Sequence, residues 1–275
     1  MSNGDVQNII RRAIRAYDMG ELRDVVALPG RHANAPHVVT TEAGRFFAKA
    51  LTPRCALPLA VRLRHAFVEH LVSEGLRVPR FIRTRAGEPC ARDGGHVVEV
   101  QEYVDGRSLR ADDPEDAARA GEALARLHLA GADFVPPGPG ANRDPWGIEH
   151  DLEQLRRREQ QMQTYLPAPE VTQFLQTVRE ALTAAAGELT QADLPTGMVH
   201  GQVRPGNLLC DAAGEVWVTD FDQCRWAPLL VDVAPLAGAF GSRAVAAYER
   251  QRALTETERG LAPTAIRLVS IHSRI

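Results

Sequence analysis

The side chains best suited to binding a divalent cation lie in the second half of the chain. Asp220 follows thirteen residues after Asn207, which itself belongs to the stretch His200–Leu209. A hairpin predicted around residues 211–214 puts Asn207 and Asp220 on adjacent strands, so an amide oxygen and a carboxylate oxygen can converge on one ion. Ligation by oxygen alone fits Mg²⁺ better than zinc. Asp222 is predicted to point away from Asp220, because side chains alternate along a strand.

This spacing resembles the catalytic loop of the aminoglycoside phosphotransferase and choline kinase-like family, which includes homoserine-kinase-like members. The family loop reads His-x-Asp, then four residues and Asn, and a hairpin leads to a metal-binding Asp before an aromatic residue. The sequence resembles this pattern at His200, Asn207, Asp220 and Phe221, and departs from it at Gln202, where the family has its catalytic aspartate. The resemblance implies phosphoryl transfer from ATP or GTP to a hydroxyl, with Asn207 and Asp220 binding Mg²⁺ and His200 in a structural role.

Gln202 changes what this loop can do chemically. A glutamine amide cannot act as a base near neutral pH, although its carbonyl can still orient a hydroxyl. General-base help is worth ~10²–10⁴-fold, about 3–5 kcal/mol, and positioning and metal electrostatics supply much of the remaining catalysis. Three explanations stay open: a natural enzyme with weak or altered activity, a pseudokinase that binds nucleotide or metabolite without turnover, and a variant altered at one position.

The resemblance also implies nucleotide-binding residues in the N-terminal part of the chain. Lys49, at the end of a predicted strand, resembles the lysine that contacts the phosphates, and Glu69 in the next helix is its implied ion-pair partner. The loop after residue 29 resembles the phosphate-covering loop, and the segment after residue 100 resembles the connection that contacts adenine. The implied nucleotide-binding residues are Lys49, Glu69, Gly30, Asn34, Glu102 and Val104. Asp232 resembles the aspartate that braces the catalytic loop.

The elements that carry these residues are strand-rich first and helix-rich afterwards. Strands are predicted at Val25–Leu28, His37–Thr41, Arg45–Leu51, Phe81–Thr84 and Val97–Tyr103, with a helix over Leu57–Glu74. Later helices are predicted over Pro114–Leu129, Glu149–Tyr165, Pro169–Leu189 and most of Val231–Ile275. With the resemblance, this pattern indicates an α+β, two-lobed protein-kinase-like fold. Residues 1–104 form a small antiparallel sheet with one helix, and residues 105–275 form a larger, mainly helical lobe.

Composition argues against several classes of partner. The net charge is −3, from 32 basic and 35 acidic residues, and gives no electrostatic basis for binding nucleic acid or an anionic membrane. The longest apolar run, Ala227–Phe240, contains Asp232 and is too short to span a bilayer. Four cysteines without CxxC spacing, and a polar start unlike a signal peptide, favour the cytoplasm. We expect a small-molecule partner and a monomer or homodimer.

The charge of the C-terminal segment bears on the kind of hydroxyl acceptor. Residues 233–275 contain Glu249, Glu256 and Glu258 against six arginines. A polycationic aminoglycoside antibiotic would need a pocket rich in carboxylates. The segment therefore favours a less cationic acceptor, such as an amino alcohol, a hydroxy amino acid, a sugar or a natural-product intermediate.

Overall fold

The computed structural model describes residues 3–28, 36–53, 55–138, 153, 157 and 168–272. Its helices are α1 (Asn3–Ala13), α2 (Pro58–Ser73), α3 (Pro114–Ala130), α4 (Ala168–Gln191), α5 (Leu230–Glu249) and α6 (Glu256–His272). Its strands are β1 (Leu22–Ala27), β2 (Pro36–Thr41), β3 (Gly44–Ala50), β4 (Ala91–Asp93), β5 (His96–Glu102), β6 (Gly106–Ser108), β7 (Thr196–Val199), β8 (Leu208–Asp211), β9 (Val216–Val218) and β10 (Arg225–Pro228). Gly30, Asn34 and nearly all of the helix predicted over Glu149–Tyr165 lie outside the described residues.

An antiparallel sheet organises the N-terminal part of the chain. Its strand order is β1-β2-β3-β5-β4, and β3 pairs with β5 so that Lys49 lies opposite Glu99. Helix α1 packs against this sheet, and Ile10 and Tyr17 are buried in the same apolar cluster as Val98. The Tyr17 hydroxyl donates to the Val98 carbonyl at 2.8 Å, which satisfies a phenol that would otherwise be buried without a partner. The predicted α+β class with an N-terminal antiparallel sheet is confirmed.

The strand predicted over Phe81–Thr84 does not form. Phe81 makes only an isolated bridge to Gln101, and Thr84 makes one to Tyr17. The backbone amide of Thr84 instead donates to the Glu88 carbonyl and closes a turn, so it is unavailable to a ladder. The strand that completes the sheet is β4, for which the sequence predicted no strand.

Helices dominate the C-terminal part of the chain, with α3, α5 and α6 packed in succession and α4 against α6. A Cβ at Gly121 of α3 would lie 2.0 Å from the Ala244 carbonyl oxygen of α5, so the close approach of these helices requires glycine. Helix α5 is long and apolar enough to cross a membrane by length and composition alone. Its Leu236 and Asp232 are fully buried and it packs between α3 and α6, as the core helix of a globular unit does.

The chain divides into two compact units. The first is Met1–Arg107 with Phe134–Pro139 and Leu209–Asp222, and the second is Ser108–Asp133 with Gly140–Leu208 and Gln223–Ile275. The sequence placed the boundary at residue 104 and assigned the β8–β9 hairpin to the second lobe, whereas the hairpin belongs to the first unit. Lys49, Asp220 and Asp222 therefore share the first unit, and Gln202 and Asn207 belong to the second.

Candidate active site

Lys49 is the centre of a charged group in the first unit. Its ammonium Nζ lies 2.5 Å from Asp220 Oδ1 and 2.8 Å from Asp222 Oδ2. The Lys49 side chain is 5% exposed, against 8% for Asp222 and 24% for Asp220. Burial lowers the pKa of Lys49, but the charges of Asp222 and Asp220 outweigh it, and the pKa lies above its usual value. The lysine is therefore held as an ammonium ion between two carboxylates.

Lys49 is also chemically unique, because the chain has 32 basic residues and Lys49 is its single lysine. All other basic residues are arginines. A lysine ammonium is a compact point charge, whereas a guanidinium is a planar fork. The side chain that contacts both aspartates is thus the single lysine ammonium of this chain.

The local backbone explains why both aspartates meet the same cation. Strand β9 ends at Val218, and Asp220 has φ +69, the one positive value for a non-glycine residue in the described part of the chain. Residues Phe221–Gln223 then form a 3₁₀ turn. The prediction that Asp222 points away from Asp220 is wrong, because the strand alternation on which it rested ends before Asp220.

Phe221 anchors this turn. It is 1% exposed and packs edge-on against Phe67 of α2, with the ring centroids 6.0 Å apart. Phe67 in turn packs against Phe134 at 5.1 Å. The buried aromatic ring between the two aspartates therefore fixes the segment that carries them, and the left-handed backbone at Asp220 is the local strain that this packing overcomes.

The predicted ion pair between Lys49 and Glu69 does not form. Glu69 is 58% exposed and accepts a hydrogen bond from Arg83 at 2.7 Å. The inward face of α2 carries Arg64 and His65 in its place, and both are buried. Helix α2 is thus oriented with Glu69 at the surface. The acidic partners of Lys49 are instead Asp220 and Asp222, which follow the β8–β9 hairpin.

A second buried charge cluster joins α2 to β5, and the sequence analysis missed it. Arg64 binds Glu99 through Nε at 3.0 and 3.1 Å and through Nη2 at 2.5 Å, and Nη2 also donates to the Cys55 carbonyl. His65 Nε2 lies 2.9 Å from the same carboxylate. Burial raises the pKa of Glu99, but His65 and Arg64 outweigh it and bring the pKa below its usual value. The sequence does contain one indication of this cluster, since Glu99 is a charged residue among the valines of β5.

Asp232 organises the loop of the second unit. The amides of His200 and Gly201 donate to its two carboxylate oxygens at 2.6 and 2.8 Å. His128 Nε2 lies 3.2 Å from Oδ2, and His128 Nδ1 lies 2.8 Å from the Tyr248 hydroxyl. Burial raises the pKa of Asp232, but the bond and charge of His128, with His200 and Gly201, bring it below its usual value. This geometry fits the predicted bracing role.

Gly201 is the position where the loop backbone needs glycine. Its φ is +78, and a Cβ there would lie 2.3 Å from the Gln223 carbonyl oxygen and 2.4 Å from Arg225 Nη1. Both contacts are far inside van der Waals distance, and an L-residue would add backbone strain. The close approach of the loop to the start of β10 therefore depends on this glycine.

Gln202 and Asn207 face each other within the loop. The Asn207 side-chain nitrogen Nδ2 donates to the Gln202 carbonyl at 2.9 Å and reaches Gln202 Oε1 at 3.4 Å. The Gln202 amide donates to His200 Nδ1 at 3.2 Å, which fits a structural role for His200. Gln202 is exposed and Asn207 is buried. The loop thus holds Asn207 in place and leaves the side chain at position 202 accessible.

The remaining predicted nucleotide residues fall into two groups. Glu102 ends β5, where its Oε2 accepts the Arg80 amide at 3.0 Å, and half-buried Val104 follows in the segment before β6. Gly30 and Asn34 lie outside the described residues, as stated above. Their contacts with a nucleotide stay predictions.

Comparison with known proteins identifies the family. Residues 24–264 match the APH family, described as the phosphotransferase enzyme family. A homoserine kinase of Methylobacillus flagellatus is 28% identical over 80% of this chain, and one of Parvibaculum lavamentivorans is 29% identical over 71%. The aligned regions span 65% and 57% of the length of those two relatives. A homoserine kinase of Nitrobacter winogradskyi is 28% identical over 92% of this chain and 78% of its own length.

Solved structures agree on the fold. An amicoumacin kinase in complex with AMP-PNP, Ca²⁺ and Ami has a TM-score of 0.78 at 18% identity, over 98% of this chain and 84% of that one. A microcompartment-associated aminopropanol kinase has a TM-score of 0.72 at 18% identity, over 96% of this chain and 87% of that one. At these identities the likeness establishes the phosphotransferase fold alone, and the predicted kinase-like fold is confirmed.

Proposed function

Because the chain belongs to the phosphotransferase enzyme family, we propose that it transfers the γ-phosphoryl group of ATP to a hydroxyl of a small molecule. The observation that carries this proposal is the buried ammonium of Lys49 held between Asp220 and Asp222. This pair of opposite charges suits a metal–nucleotide substrate. The ammonium can bind the phosphates, and a carboxylate can bind the metal ion.

Each residue has a proposed role. Lys49 binds the phosphates, and Gln202 orients the acceptor hydroxyl through its carbonyl. Asp220 and Asn207 would hold Mg²⁺, which neutralises phosphate charge when bound. Two observations fit that assignment: Asp220 is partly exposed and already contacts a cation, and the loop bonds Asn207 through Nδ2, the side-chain atom that is not a metal ligand. The pairing of Asn207 with Asp220 rests on their spacing in the sequence.

The nucleotide and the location belong to the same proposal. The backbone at Glu102 and Val104 contacts adenine, and Gly30 and Asn34 cover the phosphates, as the resemblance implies. None of the four cysteines, which all lie within the described residues, forms a disulfide, and this fits a reducing cytoplasm where ATP is abundant. We propose GTP as the alternative donor to be tested beside ATP.

The proposed acceptor is a hydroxy amino acid or a related amino alcohol. Relatives named homoserine kinase and a structural neighbour named aminopropanol kinase share this small, hydroxylated chemistry. The scarcity of carboxylates in residues 233–275 agrees, because a polycationic antibiotic would need more of them. L-homoserine is therefore the first acceptor to test, followed by 1-amino-2-propanol, choline and kanamycin.

The test is acceptor-dependent release of ADP by the purified chain with Mg²⁺ and ATP. We expect homoserine or an amino alcohol to raise ADP release above the acceptor-free rate, and kanamycin to leave it unchanged. A control with Asp220→Ala should show no acceptor-dependent release. A chain that neither releases ADP with any acceptor nor is stabilised against heat by ATP or GTP would overturn the proposal.

A second function, nucleotide binding without turnover, is favoured by one observation, the uncharged side chain at position 202. Under that function ATP raises the melting temperature while no acceptor yields ADP. Gln202→Asp separates the two functions, because it restores the family's carboxylate at an exposed site. If the proposed transferase is limited by its missing base, Gln202→Asp raises kcat by about 10²-fold or more. An unchanged kcat would show that position 202 does not act on the acceptor.

A further inference from the structure

The two carboxylates on Lys49 differ in their access to solvent. Asp220 is 24% exposed and Asp222 is 8% exposed, while both lie within hydrogen-bond distance of the same Nζ. A metal ion arriving from solvent reaches Asp220 more readily. Resting on the function proposed above, we propose that Asp222 is a positioning residue that keeps Lys49 directed at the nucleotide phosphates while Asp220 serves the metal.

Electrostatics favour this division of roles. With both carboxylates ionised, the group carries one positive and two negative charges. A divalent cation held by Asp220 would weaken the bond from that carboxylate to Lys49, because the two cations would repel each other and share one anion. Asp222 then remains as the counter-ion of a lysine that is 5% exposed. Without it, Lys49 would then be a nearly buried ammonium with no other anion of the protein free to neutralise it, an arrangement that desolvation strongly disfavours.

Arg64 pairs with Glu99, the acid that lies opposite Lys49 in the sheet. Lys49 and Glu99 are register partners on β3 and β5, so their side chains leave the same face of the sheet at neighbouring positions. Glu99 holds Arg64, which is 1% exposed, by three hydrogen-bond contacts. Glu99 is thus paired with Arg64, and Asp222 is the buried acid that contacts Lys49.

Asp222 takes the role of counter-ion to Lys49 that the family resemblance implied for Glu69. In this chain an acid two residues after the metal-binding position supplies the counter-ion, and α2 supplies a buried arginine. Phe221 is the reason the arrangement is stable, since its burial against Phe67 fixes the turn on which Asp222 sits. Asp222 therefore reaches Lys49 from a segment that is held independently of any ligand.

The single lysine makes this inference directly testable. An amine reagent such as acetic anhydride labels only Lys49 and the N-terminal amine, so the labelling rate measured by mass spectrometry reports on one side chain. We expect slow labelling in the unaltered chain. With Mg²⁺ present, Asp222→Asn should raise the Lys49 rate by more than about tenfold, and Asp220→Asn should change it less than threefold, about 0.65 kcal/mol. The N-terminal amine is the internal reference.

Nucleotide binding by calorimetry supplies the second readout, with AMP-PNP in the presence and absence of Mg²⁺. Asp220→Asn should remove the Mg²⁺-dependent gain in affinity and preserve metal-free binding. Asp222→Asn should weaken binding in the presence of Mg²⁺ by about tenfold or more, and adding Lys49→Met should weaken it no further. Asp222→Glu, which keeps the charge, should fold and restore binding to within about threefold of the unaltered chain.

The outcomes separate this inference from the proposed function. If the unaltered chain binds AMP-PNP but Asp222→Asn matches it in affinity and labelling rate, the inference fails and the function stands. Additive losses from Lys49→Met and Asp222→Asn would also overturn it. Should Asp222→Asn fail to fold, Asp222→Glu decides, because lost binding there contradicts a charge-based role. If the unaltered chain binds no nucleotide, the function itself fails.

Discussion

The carboxylate of Asp232 and the carboxylates around Lys49 are two solutions to burying negative charge. Asp232 is completely buried, and its oxygens accept two backbone amides and face His128. Asp220 and Asp222 instead share one ammonium, and Asp220 keeps a quarter of its surface exposed. The first arrangement fixes a backbone, and the second leaves an anion within reach of a ligand.

The pKa shifts of the two regions have opposite directions for this reason. Burial raises the pKa of both aspartates, but His128 and two amides outweigh it at Asp232, where the pKa falls below its usual value. At Asp222 burial prevails with the help of the nearby charge of Asp220, and the pKa lies above its usual value. A carboxylate that serves structure is thus fully compensated, whereas the Lys49 group carries excess negative charge that a metal ion can neutralise.

The sharpest test of this contrast removes one charge from each region. Asp232→Asn should lower the free energy of unfolding by about 3–5 kcal/mol, because it disrupts a fully buried pair and one of two amide bonds. Asp220→Asn should change it by less than about 1 kcal/mol, because Asp222 still neutralises Lys49. Urea denaturation at pH 7 measures both. Equal losses from the two substitutions would remove the distinction between a structural and a ligand-binding carboxylate.

A comparison of alanine substitutions at Gly201 and Gly214 distinguishes the cost of steric overlap from the cost of a left-handed backbone. Gly201→Ala should destabilise the chain by about 1–2 kcal/mol for a left-handed residue and by a further ~1–3 kcal/mol for overlap with Gln223. Gly214→Ala, with φ +83 and open space around its Cβ, should cost only the first amount. Thermal and urea unfolding compare the two variants. A Gly201→Ala chain as stable as Gly214→Ala would mean that the loop of the second unit is not tightly held.

The pH dependence of stability should differ in sign between the regions. The lowered pKa of Asp232 gives stability that is present above the usual value of 3.8 and lost as pH falls through the folded-state pKa. The raised pKa of Asp222 has the opposite effect, so its ionisation reduces stability as pH rises from 3.8 through the folded-state pKa.

Urea titrations of three chains from about pH 3 to pH 7 measure these contributions. The stability gap between the unaltered chain and Asp232→Asn should shrink towards acid pH. Asp222→Asn should gain stability relative to the unaltered chain as pH rises. Parallel curves for all three chains would contradict both assignments.

The smallest effect is expected at Glu69, which lies at the surface beside Arg83. Glu69→Gln should change the free energy of unfolding by less than about 1 kcal/mol, because both partners of the pair are more than half exposed. Its affinity for AMP-PNP should equal that of the unaltered chain. A tenfold weaker affinity would restore Glu69 as the partner of Lys49. Arg83→Gln is the matched control for loss of the same surface pair.

Local patterns in the sequence predicted the elements well where alternation or helical period was regular. The strands around Val39, Ala48 and Val98 and the helix that buries Leu124 and Leu127 follow such patterns. The strand predicted after Arg80 failed because only the Ile82 amide bonds to β5, at the Val100 carbonyl, while the Thr84 amide closes a turn with Glu88. An apolar run predicts a strand only if its amides are available for pairing.

The sequence predicted several residues of the candidate site correctly, but it did not predict most of the contacts between them. The family resemblance singled out Lys49 and Asp220, and the two side chains do meet. Asp222 was misplaced because its direction depends on one left-handed residue. Glu69 was wrongly predicted to face Lys49. Arg64 and His65 are polar but lie on the buried face of α2, so the sequence does not show which face of the helix is buried.

The sequence by itself determined the order of the strands and helices, the loop with Gln202 in it, and the single lysine that the site is built around. Only the tertiary structure decided which acids neutralise that lysine. Lys49 and Asp220 are 171 positions apart in the chain, and local propensity carries no information at that range. Their contact follows from the packing of Phe221 on α2, which fixes where a buried charge finds its counter-ion.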